Sequence, residues 1–188
     1  MKQGPRIMSG RYAGRCLPQT DDERVRPTTE RVRRSFFDLI HDQVMSCRFI
    51  DGFAGTGIMG FEAVSRGCPE VVFLEREQHL CRRIDAIIAE LGCHGVASVI
   101  CGDIRRTLSG SIRDDVPAIV FFDPPYALSI VPDLLPEISR ADRCRNIRWV
   151  VVEHHHKTDP AVGTTDWRID RREKYGETTL TFLGPKTL

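Results

Sequence analysis

The chain has 188 residues, of which 41% are hydrophobic and 28% are charged. This length accommodates one α/β domain with a small extension, and a core that needs no disulfide or metal. No apolar stretch approaches the roughly 20 residues that span a bilayer, and no apolar signal core follows Met1. The seven cysteines are scattered, with no pair at zinc or redox-motif spacing, which is typical of a reducing compartment. We therefore expect a cytoplasmic protein without a membrane partner.

Charge is distributed unevenly along the chain. The formal net charge is +1, yet the first 34 residues contain nine basic and four acidic side chains. All but one of these basic residues are arginines, whose planar guanidinium groups match phosphate oxygens. The segment predicts a polyanion-binding surface, with a solvated helix face as the alternative.

The first elements in chain order are a hairpin and a helix. Residues 6–9 and 15–17 flank a glycine-bearing loop, which predicts a short β-hairpin. A helix is predicted from Pro27 to about residue 45, because apolar residues recur there at helical spacing. This spacing places Arg33 and Arg34 on the polar side of the helix. We assign residues 1–45 to a basic N-terminal extension.

From residue 46 onward, predicted strands alternate with predicted helices. Such alternation gives a parallel sheet with helices on both faces. The closing pair of strands predicts a β-hairpin, so the last strand should run antiparallel to the rest. Residues 46–188 are therefore predicted to form an α/β domain with a seven-stranded, mostly parallel sheet. The strands are expected at 48–51, 71–75, 96–101, 118–122, 149–153, 167–174 and 178–183, and the helices at 57–66, 77–91, just after 103 and 130–140.

The loop after the first predicted strand of this sheet is rich in glycine. It reads Asp51-Gly52-Phe53-Ala54-Gly55-Thr56-Gly57. Glycines at such a join let a ligand approach the backbone close to the free N–H groups of a helix start. The loop also begins a G-x-G-x-x-G pattern, so a dinucleotide is an alternative ligand.

Four successive predicted strands end in an acidic residue: Asp51, Glu75, Asp103 and Asp123. The carboxyl ends of parallel strands share one edge of a sheet, where ligands bind. A single carboxylate at such a place is often only the N-cap of the next helix. Four together indicate a nucleoside-bearing ligand, with Glu75 placed for ribose hydroxyls and Asp103 for an adenine amine.

Asp123 begins the tetrapeptide Asp123-Pro124-Pro125-Tyr126, which follows a strand that is apolar on both faces. A carboxylate, two rigid prolines and an aromatic ring form a socket for a flat, amine-bearing base, whereas the alternative is a tight turn. Asp123 and the carbonyl group of Pro124 would accept hydrogen bonds from the amine, and Tyr126 would stack on the base. These three are the candidate catalytic residues.

Together these motifs resemble the Rossmann-like S-adenosylmethionine-dependent methyltransferases. Segments 6–15, 26–33, 51–57 and 62–67 more narrowly resemble the bacterial RsmD family, which methylates the guanine N2 amine of 16S ribosomal RNA in the small subunit. The resemblance implies S-adenosyl-L-methionine as the cofactor and an assembled or partly assembled small ribosomal subunit as the partner. The cofactor contacts that it implies are Asp51, Phe53, Gly55, Gly57, Glu75, Asp103 and Ile104.

The resemblance also makes the extension of residues 1–45 an RNA-binding segment. A base-modifying enzyme needs a polyanion-binding surface next to its pocket. The predicted RNA contacts are Arg6, Arg11, Arg15, Arg26, Thr28, Arg31, Arg33 and Arg34.

Three features depart from the family pattern. Gly52 stands where the family usually has a larger residue, Met8 replaces an aliphatic β-branched residue, and the run His154-His155-His156 has no counterpart. Adjacent residues of a strand point to opposite faces, so the three histidines cannot all converge on one ion. We expect no metal here, and a solvated strand end.

Other functions are compatible with the same residues. A DNA or RNA adenine-N6 methyltransferase shares the chemistry of the tetrapeptide. The glycine pattern also suits an NAD-dependent oxidoreductase, and the basic extension suits a non-catalytic RNA-binding module. The resemblance alone selects guanine. No feature predicts a dimer, so we expect a monomer.

Overall fold

The computed structural model describes residues 4–20, 28–125, 130–140, 145–160 and 166–186. Its strands are β1 (Arg48–Asp51), β2 (Glu70–Glu75), β3 (Ala97–Cys101), β4 (Ala118–Phe122), β5 (Ile147–His155), β6 (Trp167–Tyr175) and β7 (Thr178–Pro185). Its helices are α1 (Glu30–Leu39), α2 (His41–Val44), α3 (Ile58–Ser65), α4 (Gln78–Leu91), α5 (Ile104–Ser111) and α6 (Val131–Arg140).

The strands form one sheet in the order β3-β2-β1-β4-β5-β7-β6. Strands β1 to β5 are mutually parallel, and β7 is antiparallel to both of its neighbours. The predicted mostly parallel, seven-stranded sheet with an antiparallel last strand is therefore confirmed. Every residue of β1 and β4 is buried, as expected for central strands that are covered on both faces.

Alternating side chains of the central strands enter two cores, one on each face of the sheet. Phe49 and Phe121 belong to a cluster shared with α1, α3 and α4, whereas Ile50 and Val120 belong to a cluster shared with α5 and α6. Because both faces are covered, the polar residues at the carboxyl ends of these strands emerge along one edge of the sheet.

The first helical segment forms two helices, not the single helix predicted through residue 45. Helix α1 is capped by Thr29, whose side chain accepts a hydrogen bond from the Val32 N–H at 3.4 Å. Ile40 then leaves the helical conformation, with φ of −106° and ψ of 14°, while its side chain is fully buried. Burial of Ile40 in the core therefore outweighs the local helical periodicity.

The N-terminal arm, residues 4–20, forms a short hairpin, as predicted: Arg6 and Cys16 form an antiparallel bridge, and the N–H groups of Ile7 and Leu17 donate across it to the carbonyl oxygens of Arg15 and Pro5, both at 2.9 Å. Next to this pairing, the N–H groups of Met8 and Ser9 donate to Glu62 of α3, at 2.8 and 3.1 Å. Apolar side chains of the arm enter the same core cluster as α1. The division of the chain at residue 45 stays a prediction.

No helix in the described stretches of the chain is both long enough and apolar enough to cross a bilayer.

Candidate active site

Acidic residues lie at the carboxyl ends of five adjacent strands. In sheet order, Asp103 follows β3, Glu75 ends β2, Asp51 ends β1, Asp123 follows β4 and Glu153 lies near the end of β5. The structure thus brings the four predicted acidic residues to one edge of the sheet and adds a fifth. This edge is where open α/β sheets bind their ligands.

Asp51 is the most central of these carboxyl groups. It is 2% exposed, and its Oδ2 atom accepts a hydrogen bond from the Gly60 N–H at 3.1 Å. Burial raises the pKa of Asp51 to about 7; the charge of Glu75 adds to this shift and the Gly60 hydrogen bond opposes it. Between Asp51 and α3 the chain turns through Gly55 and Gly57, whose φ angles of 52° and 77° favour glycine.

Glu75 connects this glycine loop to the end of β2. Its Oε2 atom accepts a hydrogen bond from the Gly55 N–H, and its Oε1 atom accepts one from the Glu77 N–H, both at 2.9 Å. Each carboxylate oxygen has a further lone pair for a hydroxyl donor. Glu75 is therefore oriented beside the loop and can accept hydrogen bonds from a ligand.

The other predicted cofactor residues make contacts within the chain. Asp103 is the N-cap of α5, since its Oδ1 atom accepts a hydrogen bond from the Arg105 N–H at 2.9 Å, and its side chain is half exposed. Ile104 is buried in the core shared by α5 and α6. Phe53 packs edge to face on Phe122, with ring centroids 5.8 Å apart. Their contacts with a cofactor stay predictions.

Gly52, which departs from the family pattern, has a packing explanation. A Cβ atom at this position would lie 2.5 Å from Cδ1 of Phe122, whose side chain is fully buried. The ring of Phe122 therefore occupies the space that a larger residue at position 52 would need. Phe122 immediately precedes Asp123, so this packing also fixes the end of β4.

Asp123 lies partly buried beyond β4 and contacts the segment that precedes α1. Thr28 Oγ1 donates a hydrogen bond to its Oδ2 atom at 3.4 Å. Burial raises the pKa of Asp123 well above its usual range; the charges of Glu153 and Asp51 add to the shift, and the Thr28 hydrogen bond opposes it. Pro124 is partly buried next to it. Tyr126 lies outside the described residues, so its stacking role stays a prediction.

Glu153 is a candidate that our sequence reasoning did not select. It is 6% exposed, and its Oε2 atom has no hydrogen-bond partner among the residues described. Burial raises the pKa of Glu153 to about 7. A signal for it was present in the sequence, because Glu153 ends a predicted strand in the same way as the four acidic residues that were selected.

The predicted RNA contacts divide into exposed and buried residues. Arg33 was expected on the polar side of the helix, and this prediction is wrong: it is 1% exposed. Its guanidinium group donates to the carbonyl oxygens of Thr28 at 3.2 Å and Arg6 at 2.7 Å, and lies 3.8 Å from Glu62. Arg26 lies outside the described residues. The exposed members are Arg6, Arg11, Arg15, Arg31 and Arg34.

Thr28, also predicted to contact RNA, is only 5% exposed. Its hydroxyl group is directed at Asp123. Thr28 therefore lies inside the candidate active site, not on an outward phosphate-binding surface.

We expected the histidine run to be a solvated strand end, and this prediction is wrong for His154. His154 is 8% exposed, and its Nε2 atom lies 2.8 Å from Oγ1 of Thr181. Burial lowers the pKa of His154. His155 and His156 are partly exposed, with ring centroids 4.5 Å apart. Within the described part of the chain, no three His, Cys, Asp or Glu side chains are grouped so that they could hold a metal ion.

Comparison with known sequences places this site in context. The family model described as "Conserved hypothetical protein 95" matches residues 5–184. The putative rRNA methyltransferase YlbH of Bacillus subtilis is 29% identical over 174 residues, which cover 92% of this chain and 95% of that protein. Ribosomal RNA small subunit methyltransferase D of Haemophilus influenzae is 27% identical over 172 residues, covering 91% and 89%.

Solved structures show the same fold. The putative methyltransferase yhhF from Escherichia coli has a TM-score of 0.81 at 23% identity and covers 97% of this chain and 98% of its own. An RNA methyltransferase from Salinibacter ruber, in complex with S-adenosyl-L-homocysteine, has a TM-score of 0.59 at 16% identity, covering 87% and 96%. These likenesses establish a Rossmann-like methyltransferase fold.

Proposed function

The chain belongs to the family described as conserved hypothetical protein 95, the RsmD family, and on that premise we propose that it methylates the N2 amine of a guanine in 16S ribosomal RNA. S-adenosyl-L-methionine is the proposed methyl donor. The observation that carries the proposal is Asp123, a carboxylate placed by a central strand at the ligand-binding edge and held there by Thr28. The relatives from Bacillus subtilis and Haemophilus influenzae, both named as rRNA methyltransferases, support ribosomal RNA as the substrate class.

The residues present fit S-adenosylmethionine. Gly57 packs so closely that a Cβ would lie 2.8 Å from the Phe61 ring, which keeps the loop tight, and Glu75 is fixed beside that loop. In this proposal Asp51, Gly55 and Gly57 hold the methionine part, Glu75 the ribose and Asp103 the adenine. When bound, the cofactor supplies an electrophilic methyl group on a positively charged sulfur.

The task of the chain is to make the guanine amine nucleophilic. The lone pair of N2 is delocalised into the ring, so the amine is a weak nucleophile. The Asp123 carboxylate and the Pro124 carbonyl group each accept one amine N–H and draw the nitrogen toward tetrahedral geometry. As N2 is methylated, Asp123 would accept the proton that the nitrogen releases. The target base must be unpaired or flipped out of a helix to reach this carboxylate.

Binding of the RNA is assigned to exposed arginines of the N-terminal arm and of α1. Arg34 lines a surface groove between α1 and Tyr175, and the Arg31 guanidinium lies 6.0 Å from the centroid of the Tyr175 ring. Exposed guanidinium groups suit the phosphate backbone. The proposed substrate is an assembled or partly assembled small ribosomal subunit, and the proposed enzyme is a cytoplasmic monomer.

The test is methylation with radiolabelled S-adenosylmethionine, followed by mass analysis of the labelled nucleosides. Purified wild-type protein is offered free 16S RNA, small subunits from cells that lack this enzyme, and DNA. We expect labelled 2-methylguanosine. Asp123→Asn should lower kcat by at least ~100-fold, which is typical for loss of a general base. Binding of S-adenosylmethionine, measured by calorimetry, should change little in this variant.

The matched control is Asp85→Asn, which removes an exposed carboxylate from α4. It should methylate at the wild-type rate. Labelled N6-methyladenosine or exclusive labelling of DNA would contradict the substrate, and a fully active Asp123→Asn would contradict the catalytic assignment. Tight binding of NAD without binding of S-adenosylmethionine would contradict the methyl donor.

A further inference from the structure

Thr28 is hydrogen-bonded on two sides, toward the candidate catalytic carboxyl group and toward α1. Its hydroxyl group donates to Asp123 Oδ2 at 3.4 Å, and its carbonyl oxygen accepts from the guanidinium group of Arg33 at 3.2 Å. Thr28 and Arg33 are only 5% and 1% exposed, so bulk water does not replace either contact. The contact with Arg33 holds the backbone of Thr28, and the position of the hydroxyl group depends on that backbone.

The same guanidinium group also holds the N-terminal arm. It donates to the carbonyl oxygen of Arg6 at 2.7 Å, and its Nε atom lies 3.8 Å from Oε2 of Glu62 on α3. A guanidinium group presents its donors in a rigid planar fork, whereas the ammonium group of a lysine is a point charge on a flexible stem. The carbonyl oxygens of Arg6 and Thr28 are therefore held in a set relation to each other, although they lie in separate segments of the chain.

Stability alone is a weak reason for an arginine at position 33. Burial lowers the pKa of Arg33, because its charge is removed from water, and the charge of Glu62 opposes this shift. Replacement of a buried ion pair by apolar residues is often neutral or stabilising, and the best attested use of such a pair is to specify one arrangement. The arrangement that Arg33 specifies is that of the arm relative to Thr28.

Asp123 depends on support of this kind. Among the described residues, its hydrogen-bond donor is Thr28, while the carboxyl groups that face it are Glu153 of β5 and Asp51 of β1. Both carboxyl groups oppose the ionisation of Asp123, so neither can hold it as an anion. A misplacement of about 1 Å can lower the rate of an enzyme by about 100-fold. The Thr28 hydroxyl group therefore supports both the orientation and the ionisation of Asp123.

We propose that Arg33 is a positioning residue for the catalytic carboxyl group. It binds the carbonyl oxygens of Arg6 and Thr28 together, keeps the Thr28 hydroxyl group on Asp123, and so couples this carboxyl group to the arm. The inference rests on the proposed methyltransferase function, in which exposed arginines of the arm bind RNA. The segment that contacts the substrate and the group that accepts its amine thus depend on one buried side chain.

The experiment measures kcat and the KM for RNA of Arg33→Lys in the RNA methylation assay, and its binding of S-adenosylmethionine by calorimetry. Lysine keeps the positive charge next to Glu62 but lacks the planar fork. We expect kcat to fall roughly 10-fold, the equivalent of about one hydrogen bond, and the affinity for S-adenosylmethionine to change little.

The matched control is Arg48→Lys, at the amino end of β1 and therefore at the opposite edge of the sheet from the site. Arg48 is likewise 1% exposed, pairs with Glu70 and donates to the carbonyl oxygen of Ser111 at 3.0 Å. Both lysine variants should lower the melting temperature. At a temperature where both are folded, only Arg33→Lys should lower kcat.

The dependence of kcat on pH separates positioning from a merely structural role. The Thr28 hydrogen bond opposes the rise in the pKa of Asp123 that burial and the two neighbouring carboxyl groups cause. Asp123 must be ionised to accept the amine hydrogens, so loss of this hydrogen bond should move the acid limb of kcat to higher pH. We expect this shift in Arg33→Lys and in Thr28→Val, but not in Thr28→Ser or Arg48→Lys.

A double variant tests whether Arg33 acts through Thr28. If it does, Arg33→Lys combined with Thr28→Val should be little worse than Thr28→Val alone. The proposal is overturned if the two losses multiply, if Arg33→Lys keeps the kcat and the acid limb of wild type, or if Thr28→Val is fully active. Equal losses of kcat in Arg33→Lys and Arg48→Lys would also overturn it, because general destabilisation would then account for both.

Failure of the proposed function would give a different result. If wild type methylates no RNA at all, that function fails, and the positioning is then measured from the titration of the Asp123 carboxyl group by NMR. The midpoint of this titration should move to higher pH in Arg33→Lys, for the same reason as the acid limb. A midpoint that does not move would overturn the role of Arg33 independently of any activity.

Discussion

Glu62 of α3 is the residue whose removal should most damage the attachment of the N-terminal arm. Its side chain is completely buried and accepts hydrogen bonds from the backbone of Met8 and Ser9. It also accepts one from Arg66 Nε at 3.1 Å and lies 3.8 Å from buried Arg33. The substitution Glu62→Ala removes one anion and leaves two cations and two N–H groups without their acceptor.

The expected loss follows from that inventory. Breaking a buried ion pair by deleting one partner costs about 3 to 5 kcal/mol, because the remaining charge is left uncompensated. Each orphaned N–H adds roughly 1 kcal/mol or more, although terms within one network overlap. We expect Glu62→Ala to lower the free energy of unfolding by about 4 kcal/mol, a large part of the 5 to 15 kcal/mol that is usual for a domain.

The assay is urea unfolding followed by circular dichroism, with the m-value checked for constancy. Glu90→Ala is the control, since the Arg15 to Glu90 pair is 55% and 60% exposed and should contribute no more than about 1 kcal/mol. Glu62→Gln, which keeps one acceptor oxygen, should fall between the two and remains measurable if the alanine variant does not fold. A loss below about 1 kcal/mol for Glu62→Ala would refute the reasoning.

Two further predictions concern the edge of the sheet. Gly52→Ala should destabilise the protein by about 1 to 3 kcal/mol, because the new Cβ overlaps the buried Phe122 ring. The control is Gly95→Ala, whose Cβ would meet no atom within 4 Å. Equal melting temperatures for the two variants would contradict the packing account. The raised pKa of Asp51, from 3.8 to about 7, should cost wild-type protein roughly 3 kcal/mol of stability between pH 4 and 7, at about 1.4 kcal/mol per pKa unit. Asp51→Asn cannot titrate and should lack that decline. If the free energies of unfolding of wild type and Asp51→Asn change with pH in the same way over this range, the raised pKa of Asp51 is contradicted.

Local sequence patterns predicted the sheet and much of the candidate site. The alternation of apolar strands and amphipathic helices can be recognised from the periodicity of each segment alone. The predicted bounds of strands such as β1 and β4 therefore agree with the structure. The acidic residues at the strand ends were predictable for the same reason. Parallel strands put their carboxyl ends at one edge, whatever the details of packing.

Errors arose where a residue's partner lies far away in the chain. Arg33 has the charge of a surface residue, but Glu62 and two carbonyl groups compensate its burial. The attachment of the arm to α3 was likewise not predicted, because it depends on the buried carboxylate of Glu62, which accepts from the N–H groups of Met8 and Ser9. No pattern within the arm contains that information.

The sequence by itself determined the order of strands and helices, the position of Asp123 after a buried strand and the basic character of the first 34 residues. Only the tertiary structure decided that Thr28 reaches Asp123 across 95 positions of the chain, and that Glu153 lies beside them without a cation among its described contacts. The physical reason is that periodicity depends on neighbouring residues, whereas burial, hydrogen-bond partners and the resulting proton affinity depend on which distant segments pack together.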